Sequence, residues 1–251
     1  MIDYLHDGTF EGFLTCVYNH YYGQKAAGIY PSANYQNTLL QASLQIDTDT
    51  DKANKVYDAI GEKISESALA RVYYVFLSGI PDKDNIAFRY IRLGFKEGPR
   101  ISSLHSHSIV FAAQQTAAKV SFEVHRLTGL IRFSVIRIAN NGNMSEILYS
   151  KIEPDHDVVE LLGEHFADRF RNEPFIIHDA RRCKGLFCLD GKWHTGPLSA
   201  KALPAFDEEE NEYRRLWKNY FNSIAIEERV NPACQKRMMP VRYWKNLTEM
   251  Y

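Results

Sequence analysis

The segment HFADRFRNEPFIIHDARR, residues 165–182, carries the pattern from which the fold of the C-terminal half is predicted. Its first part has the spacing of an amphipathic helix, a short turn follows, and FIIHDARR has the composition of a strand. The segment contains two histidines, two aspartates and four arginines. Because the apolar positions define the helix and the strand, we expect these polar side chains to form a site outside the core.

The flanking sequence continues the same alternation of strands and a helix. A helix capped by Asp157 is predicted to end at Phe170, and the dipeptide Asp190-Gly191 predicts a turn between the last two strands. The tetrapeptide Asn140-Asn-Gly-Asn predicts a hairpin between the first two. This ββαββ(β) order indicates a mostly antiparallel sheet with one face covered by helices. The predicted strands are Leu130–Ile138, Met144–Ile152, Phe175–Arg182, Cys183–Leu189 and a short one from Trp193.

The N-terminal part is predicted to be mainly helical. A strand over Ile2–His6 precedes a helix that Thr9 caps, and residues 24–37 have the composition of a loop. Three helices then begin near Asp49, Ser65 and Asp82, and a longer one runs from Ser108 to Arg126 before Thr128-Gly129. A second strand is predicted over Thr38–Ile46, with Leu40, Ala42, Leu44 and Ile46 facing inward.

The C-terminal part is predicted to be a helix from Asp207 to about Ile226 and a basic, aromatic tail. The apolar stripe predicted to face the core on that helix is Tyr213, Leu216, Trp217, Tyr220 and Ile224. The predicted fold class is therefore α+β, with a helical N-terminal part, a mostly antiparallel sheet unit and C-terminal helices packed on it. The predicted division is 1–129 and 130–251, with one compact unit as the alternative.

Composition limits the kind of partner that the chain can bind. The chain has 251 residues, of which 45% are hydrophobic, and a formal net charge of -1. A nucleic-acid partner therefore requires basic residues gathered on one face. The four cysteines form no C-x-x-C pair, which favours a reducing, cytoplasmic setting. We expect neither a signal peptide nor a membrane span, since no apolar run approaches the roughly 18–20 residues that a span needs.

Sequence motifs for cofactors and metals are missing. The chain has no Walker A loop, no G-x-G-x-x-G, no G-x-S-x-G, no H-E-x-x-H and no zinc-deaminase signature. His105 and His107 have a spacing that can chelate a metal from an extended segment, but the sequence offers no third ligand nearby. We therefore predict neither a cofactor nor a metal site.

The polar residues of the 175–182 strand divide between its two faces, because side chains alternate along a strand. His178 and Arg182 share one face, and Asp179 and Arg181 share the other. The neighbours His178 and Asp179 therefore cannot act as a directly paired dyad in a regular strand. Two interpretations of Asp179 stay open: a structural ion pair with an arginine, or a position at the edge of a cleft.

A basic cluster is the second candidate. His165 and Arg169 are neighbours at i and i+4 on the predicted helix, so they share one surface. Tyr243 and Trp244 suit stacking on unpaired bases, although a segment docked on the core explains them equally well. A stripe of basic residues on another predicted helix is either a solvated face or a face that contacts phosphates; it contains Arg89, Arg92 and Lys96.

The predicted nucleic-acid-binding residues are Arg126, Arg132, Arg169, Arg181, Arg182, Lys236, Arg237 and Arg242.

Four stretches of the chain resemble a known bacterial family of DNA-metabolism proteins of unknown function. They are DGTFEGFLTCVY at 7–18, EVHRLTGLIRF at 123–133, LYSKIEPDHDVVELLGEHFADRF at 148–170 and FIIHDARR at 175–182. Members of that family are encoded beside a DNA-repair radical-SAM protein and are sometimes fused to a uracil-DNA-glycosylase-like domain, whose motifs this chain lacks. The resemblance marks His125, Arg132, Phe133, His165, Phe166, Arg169 and Asp179 as family-motif positions.

Three functions follow as expectations. The resemblance implies a DNA-repair or DNA-metabolism protein that binds DNA or a damaged nucleotide as an accessory to a radical-SAM partner. A hydrolase or lyase acting on a phosphodiester or glycosidic bond is the alternative, with His165, His178 and Asp179 as candidate acid–base residues. The third is an adaptor that binds only protein.

Overall fold

The computed structural model describes residues 2–36, 41–140, 143–199 and 208–250. The chain divides into two compact units, Met1–Ser121 and Phe122–Tyr251, and the division falls within one long helix. No helix among the described residues is long and apolar enough to cross a membrane. The predicted α+β class is confirmed, since helices accompany one sheet of three strands and another of five.

The first unit contains a parallel sheet in the order β2-β1-β3. Helix α1 connects β1 to β2, as a parallel pair requires. Thr9, Asp49 and Ser65 cap α1, α2 and α3 through side-chain hydrogen bonds, which confirms three predicted helix starts. The elements are β1 (Ile2–His6), α1 (Phe10–Tyr22), β2 (Ala26–Pro31), β3 (Ala42–Gln45), α2 (Thr50–Lys63), α3 (Glu66–Phe76), α4 (Lys83–Glu97) and α5 (Ser108–Leu130).

Three predictions for this unit are wrong. Residues 26–31, predicted as loop, form β2, because pairing with β1 outweighs a weak local preference of the Ala-Ala-Gly segment. Ala42 and Leu44 of β3 are exposed, although Ile46 is buried as predicted, and Leu40 lies outside the described residues. Helix α5 passes through Thr128-Gly129 to Leu130.

A buried polar pair joins the end of β1 to the start of α4. His6 Nε2 lies 3.6 Å from Asp84 Oδ1, and both side chains are almost fully buried. Gly8 N donates to His6 Nδ1 at 3.1 Å, so the hydrogen of the neutral ring is on Nε2, facing Asp84. Among the described residues neither Nε2 nor Oδ1 has a hydrogen-bond partner, so each depends on the other for compensation.

The second unit is built on the sheet β4-β5-β6-β7-β8. Helix α6 lies between β5 and β6, and this pair alone is parallel among the described strands of the sheet. The mostly antiparallel arrangement is thus as predicted. The elements are β4 (Ser134–Asn140), β5 (Asn143–Ile152), α6 (Gly163–Phe170), β6 (Phe175–Asp179), β7 (Lys184–Leu189), β8 (Lys192–Pro197), α7 (Glu208–Ile224) and α8 (Pro232–Met238).

Aromatic packing holds α6 on the sheet. The Phe133 ring centroid lies 5.3 Å from that of Phe166, 4.8 Å from that of Phe170 and 6.0 Å from that of Phe175. These edge contacts bring together the segment before β4, the helix and the first residue of β6. A second apolar cluster of this sheet contains Ile136, Tyr149, Ile176 and Leu198.

Several boundaries in this unit differ from the prediction. Strand β4 begins at Ser134 rather than Leu130, since α5 extends to Leu130 and residues 131–133 belong to neither element. A 3-10 turn, Glu160–Leu162, stands where the sequence predicts the first turn of α6, and β6 ends at Asp179. The turn at Asp190-Gly191 is confirmed by positive φ values of 50° and 71°. The hairpin residues 141–142 lie outside the described residues.

The predicted inner stripe of α7 is also wrong. The side chains of this stripe are between 41% and 62% exposed. The helix is instead attached at its first turn, where Glu210 is buried and Val135 N donates to its carboxylate at 3.0 Å. Periodicity identifies an apolar face but does not show what covers it. The exposed stripe is Tyr213, Leu216, Trp217, Tyr220 and Ile224.

We predict that Asp84→Ala lowers the free energy of unfolding by about 3 kcal/mol, because it leaves the buried Nε2–H of His6 without compensation. Asp82→Ala is the matched control, since Asp82 makes an exposed ion pair with Arg89 that contributes less than about 1 kcal/mol. Urea unfolding followed by circular dichroism measures both. Equal losses for the two variants would contradict this account of the pair.

Candidate functional site

Glu123 of α5 is the buried centre of a polar network in the second unit. Its side chain is 1% exposed. The backbone N–H groups of Asp155 and His156 donate to its carboxylate at 3.1 and 2.8 Å, and the Tyr243 hydroxyl donates at 2.5 Å. Arg242 Nη2 lies 3.5 Å from the same carboxylate. One side chain therefore fixes the 155–156 turn and the C-terminal segment to α5.

Asp155 gathers three of the arginines predicted to bind nucleic acid. Arg242 Nε and Arg181 Nη1 lie 3.0 and 3.4 Å from its carboxylate oxygens. Arg182 instead donates to the backbone, with Nη2 2.7 Å from the Asp155 carbonyl oxygen and Nη1 3.1 Å from that of Pro154. Arg181, Arg182 and Arg242 therefore lie together around Asp155, but each cation already has an anionic or carbonyl partner.

Asp179 is fully buried and forms an ion pair with Arg182 at 2.9 Å. It also accepts from the backbone N–H groups of Arg181 at 2.9 Å and Arg182 at 3.2 Å. Of the two interpretations from the sequence, the structure shows the ion pair. The carboxylate closes the turn between β6 and β7, and its hydrogen-bonding capacity serves that turn.

His178 lies on the opposite face of β6, as the alternation predicts. Its Nδ1 is 2.9 Å from the Tyr149 hydroxyl, and its Nε2 has no partner among the described residues. Burial lowers the pKa of His178, and the nearby Lys151 adds to this effect. Burial also raises the pKa of Tyr149 to about 12. Among the described residues His178 contacts Tyr149 and Asp179 pairs with Arg182, so the two have separate partners.

The remaining predicted residues are spread over other parts of the second unit. His165 and Arg169 are exposed on α6, where the Arg169 guanidinium lies 5.7 Å from the Phe170 ring centroid. Lys236 and Arg237 are exposed in the last turn of α8, and Arg126 is half-buried on α5. Among the described residues, no hydrogen bond, ion pair or ring contact joins any of these five to the arginines around Asp155.

The two aromatic residues of the tail are docked on the core. Tyr243 is buried against Glu123, and Trp244 Nε1 donates to the Met239 carbonyl oxygen at 2.9 Å. Burial raises the pKa of the Tyr243 hydroxyl, and the hydrogen bond to Glu123 raises it further. The alternative of a segment docked on the core is therefore confirmed, because Tyr243 is buried and Trp244 is half-buried, and the Tyr243 ring offers no open stacking face.

An open groove beside α7, which we call the α7 groove, was missed from the sequence. It has a volume of about 520 Å³. Buried Glu249 accepts from Arg132 Nη2 at 2.6 Å with one oxygen and from Trp217 Nε1 at 3.2 Å with the other. The sequence feature that could have predicted this groove is the aromatic stripe of α7 next to Arg214. The lining residues are Arg132, Phe133, Ser134, Glu210, Tyr213, Arg214, Leu216, Trp217, Tyr220 and Thr248.

We predict that Tyr243→Phe lowers the free energy of unfolding by about 2 kcal/mol, because the Glu123 carboxylate loses a buried hydrogen bond. Tyr57→Phe is the control, since Tyr57 is half exposed and should change stability by less than about 0.5 kcal/mol. Chemical denaturation of the full chain compares the two. A neutral Tyr243→Phe variant would show that Glu123 does not depend on this hydroxyl.

We predict that the protein is less stable at pH 5.5 than at pH 7.5. The pKa values of His20, His156 and His178 are all lowered from the usual value of about 6.5, in each case mainly by burial. The unfolded chain therefore binds protons first as the pH falls through about 6.5, which draws the equilibrium toward it. Carboxyl groups whose pKa is lowered in the folded protein change its stability only below roughly pH 4.5, outside the compared range of pH 5.5 to 7.5.

Denaturant titrations at a series of pH values measure the slope of the free energy of unfolding against pH. His156→Gln should flatten it, because one of the three histidines is then removed. His165→Gln, which replaces an exposed histidine on α6, serves as the control. Stability that stays constant or increases toward pH 5.5 would contradict the prediction.

Comparison with known proteins gives one family. A family model described as domain of unknown function DUF4130 matches residues 81–249. No curated protein matches the chain, and no solved structure matches it either. The matched residues contain Glu123, the arginines around Asp155 and the whole lining of the α7 groove. Since the model covers more than half of the chain, the protein belongs to this family of unknown function.

Proposed function

We propose that the second unit binds single-stranded or locally unpaired DNA in the α7 groove. The observation that carries the proposal is the bridging position of Glu249, which holds a cation and an aromatic ring in one groove. Its side chain is only 3% exposed, whereas Arg132 is 30% exposed and Trp217 is 41% exposed. An arginine and an indole held in place in this way suit a phosphate and a base.

The charge of Glu249 supports its role in holding these groups. Burial alone would raise the pKa of this carboxyl, but the hydrogen bonds from Arg132 and Trp217 and the charge of Arg132 outweigh burial and keep its pKa low. The carboxylate is therefore ionised at neutral pH and can hold the guanidinium and the indole together. Such preorganisation reduces the ordering cost when a ligand binds.

The aromatic surface of the groove suits unpaired bases better than a duplex. The Trp217 and Tyr220 rings lie 5.9 Å apart between centroids, and both side chains are exposed. Bases of any sequence can stack on such rings, but only when they are not paired in a helix. Arg132 and Arg214 line the same groove and offer positive charge to the phosphates.

The arginines around Asp155 support the proposal less strongly. Arg181, Arg182 and Arg242 must each leave or share an existing partner before they can bind a phosphate. In the α7 groove Glu249 pairs with Arg132, and the aromatic rings of Trp217 and Tyr220 are exposed to a ligand. The wider role that we propose follows the family resemblance: an accessory protein that presents a strand or a damaged nucleotide to a radical-SAM repair enzyme.

We predict that Trp217→Ala and Tyr220→Ala each weaken binding of a labelled single strand by about tenfold, since each removes one stacking surface. Fluorescence anisotropy with an oligonucleotide of roughly 16 nucleotides, about the largest site expected for such a groove, measures the affinity. Phe122→Ala is the matched control, because Phe122 is an exposed aromatic residue of α5 that does not line the groove.

The salt dependence tests the phosphate contacts separately. Affinity should fall as salt rises, and Arg214→Gln should reduce the slope by roughly 0.7, the value for one phosphate contact on a single strand. Binding that depends on Arg169 or Arg182 but not on Trp217 would place the strand elsewhere. A folded protein that binds no strand at low salt would contradict the proposal and favour an adaptor.

A further inference from the structure

The first unit contains a second aromatic groove, which we call the α1–α2 groove. It has a volume of about 570 Å³ and is lined by Tyr18, Tyr21, Tyr22, Lys55, Val56, Ala59, Lys63 and Phe95. Tyr18 and Tyr22 stack at 4.5 Å between centroids, and Tyr21 meets Phe95 edge-on at 5.6 Å. Tyr22 is 78% exposed, so the stacked pair has a face open to solvent. Tyr21 is 46% exposed.

Lysines surround the stacked tyrosines. The Nζ atoms of Lys52 and Lys55 each lie 6.0 Å from the centre of the Tyr18 ring. Lys52 is also paired with Asp49 at 3.0 Å, so part of its charge is neutralised. Lys63 lines the groove two turns beyond Lys55 on the same helix.

The charges of α2 are segregated by face. Lys52, Lys55 and Lys63 follow the spacing of one helical stripe, together with the groove residues Val56 and Ala59. The acidic residues of this helix do not line the groove; they are Asp51, Asp58 and Glu62. Burial raises the pKa of Tyr21, and the charge of Arg92 of α4 opposes this increase.

We infer that the α1–α2 groove binds a free nucleoside 5′-phosphate, with the base against the Tyr18–Tyr22 pair and the phosphates near Lys55 and Lys63. A planar ring suits the stacked tyrosines, and a polyanion suits the lysine stripe. The volume is in the range of about 300–1,000 Å³ that accommodates one small molecule. This inference goes beyond the proposed function, because the groove lies in the first unit and shares no residue with the α7 groove.

The test is isothermal titration of the full chain with ATP, with adenosine and with inorganic tripolyphosphate. ATP should bind at least about tenfold more tightly than either of its halves, because only ATP has both the ring and the charge. Tyr22→Ala should weaken ATP binding by about tenfold, and the double variant Lys55→Gln/Lys63→Gln by at least as much. Tyr22 and both lysines lie at an open groove, so these variants should fold, which circular dichroism verifies.

Two matched controls separate the groove from general surface effects. Tyr57→Ala removes an exposed tyrosine of α2 that does not line the groove, and Lys119→Gln removes an exposed lysine of α5. Both should bind ATP within about twofold of the unchanged protein. If Tyr57→Ala and Tyr22→Ala weaken binding equally, the ligand does not stack in this groove and the inference is wrong.

The remaining outcomes also decide the inference. No measurable ATP binding at about 1 mM, or equal binding of ATP and tripolyphosphate, would overturn it. Trp217→Ala should leave ATP binding unchanged while weakening strand binding. Loss of ATP binding in that variant would place the nucleotide in the α7 groove and overturn the inference, whereas loss of strand binding alone leaves it supported. The experiments therefore distinguish a failure of strand binding in the α7 groove from a failure of nucleotide binding in the α1–α2 groove.

Discussion

The second unit depends on a single buried carboxylate, that of Glu123. A buried charge is costly unless hydrogen bonds and an opposite charge compensate it, and Glu123 has both. The compensating groups come from two distant parts of the chain: the turn at Asp155 and His156, and the segment that carries Arg242 and Tyr243. Because the cost of leaving this carboxylate unpaired is high, both segments are constrained to meet α5. The C-terminal segment is thereby fixed in the fold although it has little regular structure.

The same constraint decides which cations are available to a ligand. Acidic residues recur along 153–157, and each is paired: Glu153 with Lys245, Asp155 with Arg242, and Asp157 with Lys184. These pairs stabilise the segment, and Asp155 also neutralises two of the predicted nucleic-acid-binding residues, Arg181 and Arg242. A residue type counted in a sequence is therefore poor evidence for a phosphate site. What matters is whether the charge remains uncompensated after folding, which only the three-dimensional arrangement shows.

Local signals were predictable from the sequence, and long-range partners were not. The caps at Thr9, Asp49 and Ser65 and the turn at Asp190-Gly191 depend on residues close in sequence, and all are confirmed. The Tyr243–Glu123 hydrogen bond joins residues 120 positions apart, so no local pattern encodes it. Strand β2 was missed for the same reason, since its pairing with β1 is tertiary.

The candidate sites show this limit most clearly. Periodicity found the aromatic stripe of α7 correctly, but it assigned the stripe to the core, because an apolar face is more often covered than open. At Tyr243 the sequence left two alternatives open, a stacking site and a segment docked on the core, and the structure shows a buried hydroxyl. In both cases the residue types were informative about chemistry, whereas exposure had to come from the packing.

The extent of the family match separates the two grooves. The family model covers residues 81–249, a range that contains Arg132, Trp217 and Glu249. Tyr18, Tyr22 and Lys55 of the α1–α2 groove precede that range. The two sites need not depend on each other, since their linings belong to different compact units. Strand binding is thus the property to compare among members of the family, and nucleotide binding the property to examine in this chain.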